Sequence, residues 1–298
     1  MNKKIKVDFA SFWPNFQKKD NYFYHLLSTK YNVEITPNKP DLLLYSVDYS
    51  NKKEHYDANY IDSKKIFFTG ENISPDFNFC DGAFSFINNQ DQQNYRLPLW
   101  ALFINWFNVP YKKNRDQSYL IPKDRIIKTS EVKKRNKHFC SFLASNPSGE
   151  RLNFAPLLNN IKEIDSRGKI FNNTGKNVKG RGDQKWKIKY LSKYRFNISF
   201  ENEIGNGYVT EKILHPMSVN SIPIYWGSKE VLNDFNENSF IYVNNFKSYE
   251  LAIKKIIELE NNEDLYLDIL NKPWLKDNKY PHNVLPENVI NFIEEVLG

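Results

Sequence analysis

The sequence predicts an α/β protein of two parallel-sheet domains, and three observations carry that expectation. The stretch 196–227 reads as strand, loop, helix, strand: apolar Phe196, Ile198 and Phe200, a loop with Gly205 and Gly207, a helical segment, then the apolar run Ile222 to Trp226. Asp41 to Val47 (DLLLYSV) is a continuous apolar run of the kind a parallel sheet buries on both faces. Between 108 and 136 the hydrophobic pattern stops and the charge clusters YKKNRDQ and KKRNK take over, which marks a linker between two halves, 1–136 and 137–298.

In the first half, Lys4 to Phe9 is expected as a strand, Asn21 to Lys30 has helical spacing, Val33 to Ile35 is a brief strand, and Asp41 to Val47 follows. Lys65 to Thr69 is a further strand and ends in Gly-Glu-Asn at Gly70 to Asn72. Ligands in open α/β sheets bind beyond the carboxyl ends of strands, so Glu71 falls where chemistry is usually found. Phe84 to Ile87 is expected as a strand and Leu99 to Phe107 as a helix. In the second half, His138 to Ala144 is a strand and Glu150 to Ile161 a helix. Ile164 to Ser166 is strand-like and leads into a glycine-rich loop, and Asp183 to Tyr194 has helical composition. After the central unit come a strand at Phe240 to Val243, an amphipathic helix at Tyr249 to Leu259 and a final helix at Glu287 to Leu297.

Composition narrows the function classes. With 298 residues, 40% hydrophobic and 15% aromatic, the chain can bury two cores and is neither disordered nor fibrous. The net charge of +7 is spread through Lys-rich segments without a recognition motif, which indicates a solvated surface rather than nucleic-acid binding. Cys80 and Cys140 have no CxxC or CxxH partner, so a zinc site or disulfide framework is not expected and a reducing compartment fits. The start MNKKIKVDFA lacks the apolar core of a signal peptide. The run Leu97 to Val109 is interrupted by Asn105 and too short to span a bilayer, so the expectation is a cytoplasmic, soluble chain.

The candidate chemistry centres on 200–227. Within the expected helix, Tyr208, Glu211, Lys212 and His215 form one stripe and Val209, Ile213 and Met217 another. Unpaired amides at the helix start, the helix dipole and Lys212 as a partly exposed cation would together receive an anion near Tyr208 to Thr210, which suits a nucleotide phosphate. On pattern alone a solvated face accounts for Glu211 and Lys212 equally well. Pro216 should bend or shorten this helix. Glu201 to Glu203 (ENE) is a DxD-like triplet, but no metal is expected because Asn202 and the helix end already answer the phosphates. The five histidines form no metal-binding spacing, and His215 is expected on the surface.

The residues FEN (Phe200 to Asn202), YVTEK (Tyr208 to Lys212) and IPIYWG (Ile222 to Gly227) at this spacing closely resemble the donor-binding motif of the α1,3/α1,4-fucosyltransferases. FTGENISPDFNFCDGAF at Phe68 to Phe84 and FCSFLASNPSGERLNF at Phe139 to Phe154 extend the resemblance from about residue 64 to 245. It implies the glycosyltransferase B architecture, two Rossmann-like domains facing a cleft, with the final helix crossing back to the first domain. It also implies inverting transfer of L-fucose from GDP-fucose to the GlcNAc of a lactosamine-type glycan, giving a Lewis-antigen-like product. By the same resemblance Glu71 is the general base, and Arg151, Arg195, Asn202, Tyr208, Glu211 and Lys212 bind the donor. Neither metal nor other cofactor is implied. The heptad repeats and basic amphipathic tail of some bacterial members are not found up to Gly298, which leaves oligomeric state and peripheral contact with the inner membrane open. A transferase using another nucleotide sugar, such as GDP-mannose, and a non-catalytic glycan-binding module are the competing readings.

Overall fold

The computed structural model describes residues 2–49, 51–88, 93–110, 120–133, 137–175 and 184–298. The cluster Tyr111 to Gln117, Lys134 and Arg135, Asp183 and the end of the glycine-rich loop lie outside the described residues. Two compact units are formed. One groups Met1–Leu102 with Asn206–Tyr208 and Pro281–Gly298, and the other groups Phe103–Gly205 with Val209–Tyr280.

The first unit is a six-stranded parallel sheet: β1 (Lys4–Ala10), β2 (Asn32–Ile35), β3 (Leu42–Tyr45), β4 (Lys64–Phe68), β5 (Gly82–Ser85) and β6 (Asn94–Arg96), in the order β2-β1-β3-β4-β5-β6. All four residues of β3 are buried, as expected for a strand covered on both faces. Helix α1 (Tyr22–Leu27) is shorter than the expected 21–30. Asn21 caps its start by accepting the Tyr24 N–H, while the Ser28 and Thr29 hydroxyls take the carbonyls of Tyr24 and Leu26 and turn the chain away. Strand β6 was not foreseen because its pairing is polar: Asn94 bonds Ser85 Oγ and the Ile87 carbonyl, leaving no apolar alternation to read. The C-terminal helix Pro286–Leu297 packs in this same unit, with Phe292 against Phe84 and Tyr95. A Cβ at Gly82 would lie 2.7 Å from Val296 Cγ2, so glycine there permits the close approach of helix and sheet.

The expected helix Leu99 to Phe107 is instead a 3₁₀ turn at Leu99–Phe103 followed by strand β7 (Ile104–Asn105). The Asn105 side chain accepts the Val109 N–H and redirects the backbone, which an α-helix cannot accommodate. Strand β7 pairs with β8 (Ile121–Pro122), and α2 (Lys123–Ile126) follows. The rest of the second unit alternates strictly: β9 (His138–Phe142), α3 (Gly149–Ile161), β10 (Asp165–Ser166), α4 (Gln184–Leu191), β11 (Tyr194–Phe200), α5 (Glu211–Ser218), β12 (Ile222–Trp226), α6 (Val231–Asp234), β13 (Ile241–Tyr242), α7 (Tyr249–Asn261) and α8 (Glu263–Leu270). Its five parallel strands lie in the order β10-β9-β11-β12-β13. All seven residues of central β11 are buried, and Phe142, Phe154, Phe196 and Phe200 anchor the core. The expected helix 183–194 therefore stops early, since Tyr194 already belongs to β11. Cys80 and Cys140 are buried free thiols, one in each unit. Among the described residues no helix is long and apolar enough to cross a membrane.

Candidate active site

From β9 the chain moves outward to β10, then returns to the other side of β9 to lay down β11. The loops leaving β9 and β11 therefore diverge at their carboxyl ends and open the crevice in which α/β sheets bind ligands. Four side chains named from the sequence converge here. Arg151, in the first turn of α3, is buried and donates to the carbonyl oxygens of Asn146 (3.0 Å) and Phe200 (2.5 Å) and to Asn202 Oδ1 (3.0 Å). Lys212 and Glu211 open α5 from the opposite side of the crevice, and Asn202 follows the end of β11.

Lys212 is held by Glu201, which the sequence offered only as part of a metal-like triplet. Its carboxylate is fully buried and accepts from the Thr210 N–H (2.8 Å), the Thr210 hydroxyl (2.8 Å) and Lys212 Nζ (3.0 Å), with Tyr225 Oη at 3.4 Å. A buried carboxylate must collect donors or become neutral, and these are the ones within reach. The expected anion position at Tyr208 to Thr210 is corrected accordingly: the protein's own carboxylate takes the Thr210 amide. Lys212 is partly exposed, its side chain 24% accessible, and it is ion-paired to Glu201. Burial opposes its charge, Glu201 and Glu211 outweigh that, and the ammonium pKa rises, with nearby Arg151 pulling the other way. Two cations thus stand close together at the carboxyl end of β11. Glu211 is half-buried, and Lys187 (2.9 Å), Lys212 and His215 overcome the burial that would raise its pKa, so that it falls well below the usual carboxylate range.

Tyr208 and Arg195 are placed differently within their elements from what the spacing suggests. Helix α5 starts at Glu211 with Thr210 as its cap, so Tyr208 precedes the helix and the stripe loses its first member. Tyr208 is buried in the first unit, edge-on to Phe86 at 4.8 Å. The preceding Gly207 has φ +77°, and a Cβ there would lie 2.1 Å from the Phe86 carbonyl oxygen, so only glycine can make this approach. Arg195 lies near the amino end of β11, ion-paired to Glu260 and Glu263 at 2.8 Å and stacked over the Tyr266 ring at 3.8 Å. It ties α7 and α8 to the sheet.

His215 is corrected as well: it is completely buried on α5, one turn below Glu211, with its ring perpendicular to Phe103 at 4.8 Å. Burial first, then Lys187 and Lys212, hold its pKa well below the ordinary 6.5, against the pull of Glu211, so the imidazole is neutral. The stability consequence has a definite sign. Below about pH 6.5 the unfolded chain takes up a proton that the native state refuses, so stability is lost as pH falls, at about 1.4 kcal/mol per unit. Buried His55, also lowered, adds in the same direction. Between pH 6.5 and 5.0 the His215 contribution amounts to about 2 kcal/mol, and His215→Leu is expected to remove it from urea unfolding curves. An equal acid-induced shift in the variant would place the titration elsewhere.

Glu71 lies in the first unit, just past the carboxyl end of β4. The Thr69 hydroxyl accepts the Glu71 N–H (2.9 Å) and donates to the Glu71 carbonyl (2.8 Å), which fixes the backbone and leaves the side chain to Tyr49. Partial burial and the Glu71 carboxylate, which accepts its hydroxyl hydrogen bond, push the Tyr49 phenol up to about 12. Among the described residues no group of three or more His, Cys, Asp or Glu is placed to hold a metal.

Comparison with known proteins gives this geometry a context. Residues 7–103 match the alpha-(1,3)-fucosyltransferase FucT N-terminal domain, and residues 132–289, more than half the chain, match the glycosyltransferase family 10 (fucosyltransferase) C-terminal region. The alpha-(1,3)-fucosyltransferase FucT of Helicobacter pylori is 33% identical over 291 residues, 89% of this chain and 59% of that protein. The 4-galactosyl-N-acetylglucosaminide 3-alpha-L-fucosyltransferase 9 of Rattus norvegicus is 31% identical over 57% of this chain and 47% of its own. The chain thus spans about half to three-fifths of the length of these curated relatives. Among solved structures, an alpha1,3-fucosyltransferase with GDP-fucose superposes with a TM-score of 0.74 at 29% identity, covering 100% of this chain and 91% of that one. The same enzyme type with GDP gives 0.74 at 30%, covering 99% and 91%. The fold class is that of these structures, α/β of the glycosyltransferase B type. By its sequence over both units, this chain belongs to glycosyltransferase family 10, the fucosyltransferases.

Proposed function

We propose that this chain is an inverting α1,3-fucosyltransferase, moving L-fucose from GDP-fucose to the GlcNAc of a lactosamine-type glycan. The observation that carries the proposal is the paired cations Arg151 and Lys212 at the switch point of the second sheet, where a diphosphate leaving group requires them. The structural neighbours with GDP-fucose and with GDP support the donor, and the name of the rat relative supports a galactosyl-N-acetylglucosaminide acceptor. In this reading an acceptor hydroxyl attacks the anomeric carbon as Glu71 takes its proton, and the C1–O bond to GDP breaks. One displacement inverts the configuration and needs one base. Negative charge growing on the β-phosphate is met by Arg151 and by Lys212, the latter held in place by Glu201. Glu211, steadied by Lys187, serves the ribose hydroxyls, and Asn202 orients Arg151.

The test is a donor panel scored by product mass, with N-acetyllactosamine as acceptor and GDP-fucose, GDP-mannose and UDP-sugars as donors. A deoxyhexose added from GDP-fucose alone is expected. Transfer from GDP-mannose would replace the donor assignment, and glycan binding without transfer would make the chain a binding module. Because two cations already answer the phosphates, transfer is expected to persist in EDTA. Loss that manganese restores would overturn this phosphate chemistry.

A further inference from the structure

We propose that the exposed rings of Trp13 and Tyr49 form an aromatic platform beside Glu71 that stacks a hexose ring of the acceptor glycan. This rests on the transferase reading above and names the part of the first unit that holds its acceptor. Strands β1, β3 and β4 are parallel neighbours, so the loops leaving them emerge at one edge of the sheet, within the roughly 10 Å that two inter-strand spacings allow. The first loop carries Trp13, the second Tyr49 and the third Glu71. This is also the switch point of the first sheet, since the chain passes from β1 outward to β2 and returns to β3 on the other side.

Both rings present area to solvent, Trp13 being 45% and Tyr49 43% exposed, yet neither hangs free. Trp13 is braced edge-to-face by Phe12 (5.5 Å) and Phe16 (5.0 Å), and Phe12 stacks on Phe68, the last residue of β4 and three positions before Glu71. Tyr49 reaches the same carboxylate through its hydroxyl. The β1 loop is held in an uncommon conformation, with non-glycine residues Ser11 (φ 58°) and Asn15 (φ 67°) in the left-handed region. Ser11 is kept there by His55 Nδ1 on its hydroxyl (2.7 Å) and Glu54 Oε2 on its N–H (3.3 Å). Glu54 and His55 lie downstream of Tyr49, so the two loops are clasped together, and such strain persists where the surroundings over-determine it.

Rigid aromatic faces beside a few fixed polar groups suit a ligand with one apolar face and several hydroxyls, which describes a sugar ring. A nucleobase could stack equally well. The carboxylates of Asp48, Glu54 and Glu71 in these same loops disfavour the phosphates a nucleotide would bring, whereas a neutral glycan meets no such opposition.

The test is steady-state transfer by Trp13→Ala, with Trp13→Phe as the conservative companion. Covering half an indole ring implies a KM for N-acetyllactosamine raised roughly ten- to thirtyfold, largely recovered in Trp13→Phe, with the KM for GDP-fucose unchanged. Calorimetric GDP affinity equal to wild type confirms that the variants are folded. Unchanged acceptor KM during active transfer overturns the platform and leaves the transferase reading standing. If the wild type transfers no fucose, that reading falls, and saturation-transfer NMR with N-acetyllactosamine decides the platform. Binding lost in Trp13→Ala upholds it; binding retained, or none in the wild type, overturns it.

Discussion

Glu71→Gln is expected to lower fucose turnover by about two to four orders of magnitude while leaving GDP-fucose affinity intact. The substitution keeps size and hydrogen-bonding capacity, so Tyr49 retains a partner and the Thr69 hydroxyl still pins the backbone of residue 71. Only the capacity to accept a proton is removed. If Glu71 were simply a loop carboxylate, glutamine would substitute well and turnover would stay near wild type. The measurement is transfer of fucose to N-acetyllactosamine beside donor calorimetry, and retained turnover with retained binding ends the assignment. The nearest alternatives are already committed to local structure: Asp76 accepts the Asn78 N–H, and Asp81 accepts the Lys65 N–H and pairs with Lys64 at 3.3 Å.

Glu201→Ala is expected to destabilise the second unit by about 3–5 kcal/mol, because it leaves the Lys212 ammonium and the Thr210 amide without the buried acceptor they share. That is a large fraction of the roughly 5–15 kcal/mol that ordinarily keeps a protein folded. Pairing the change with Lys212→Met should recover much of the stability, since no buried charge is then unmatched, while GDP affinity falls and stays low. Urea unfolding separates the two effects from calorimetry on each variant. A single variant costing less than about 1 kcal/mol would mean that Thr210 Oγ1, 3.1 Å from the ammonium, and solvent suffice for Lys212.

The parallel sheets were legible from their apolar positions: β3 is spelled in continuous apolar letters, while β11, equally buried, sets Phe196, Ile198 and Phe200 between Arg195, Asn197 and Ser199. Elements built on polar side chains were not. Asn94 joins β6 to its neighbours, Asn105 breaks an expected helix, and neither act has a periodic signature. At the site, Arg151, Asn202, Glu211 and Lys212 fall together because their sequence neighbours are strand ends and helix starts. Glu201 was left without a role for a related reason: an acid next to a strand end carries no signal of its partners, and only the fold shows that Thr210, Lys212 and Tyr225 all turn toward it. His215 was misplaced because helical spacing assigns a residue to a stripe without saying which side of the stripe faces Phe103.

The helix Pro286–Leu297 has a consequence for how the molecule comes to exist. It covers β5, and Lys30 and Tyr31 bond its Glu294, yet it is synthesised after every strand of the second unit. The first unit therefore cannot finish its core before the whole second unit has been synthesised. Until then Phe84 and Tyr95 lack their contact with Phe292, a long-range closure of the slow and aggregation-exposed kind. A chain truncated after Tyr280 should accordingly keep the second unit protease-resistant and leave the first cleavable, and restoring residues 281–298 should protect both.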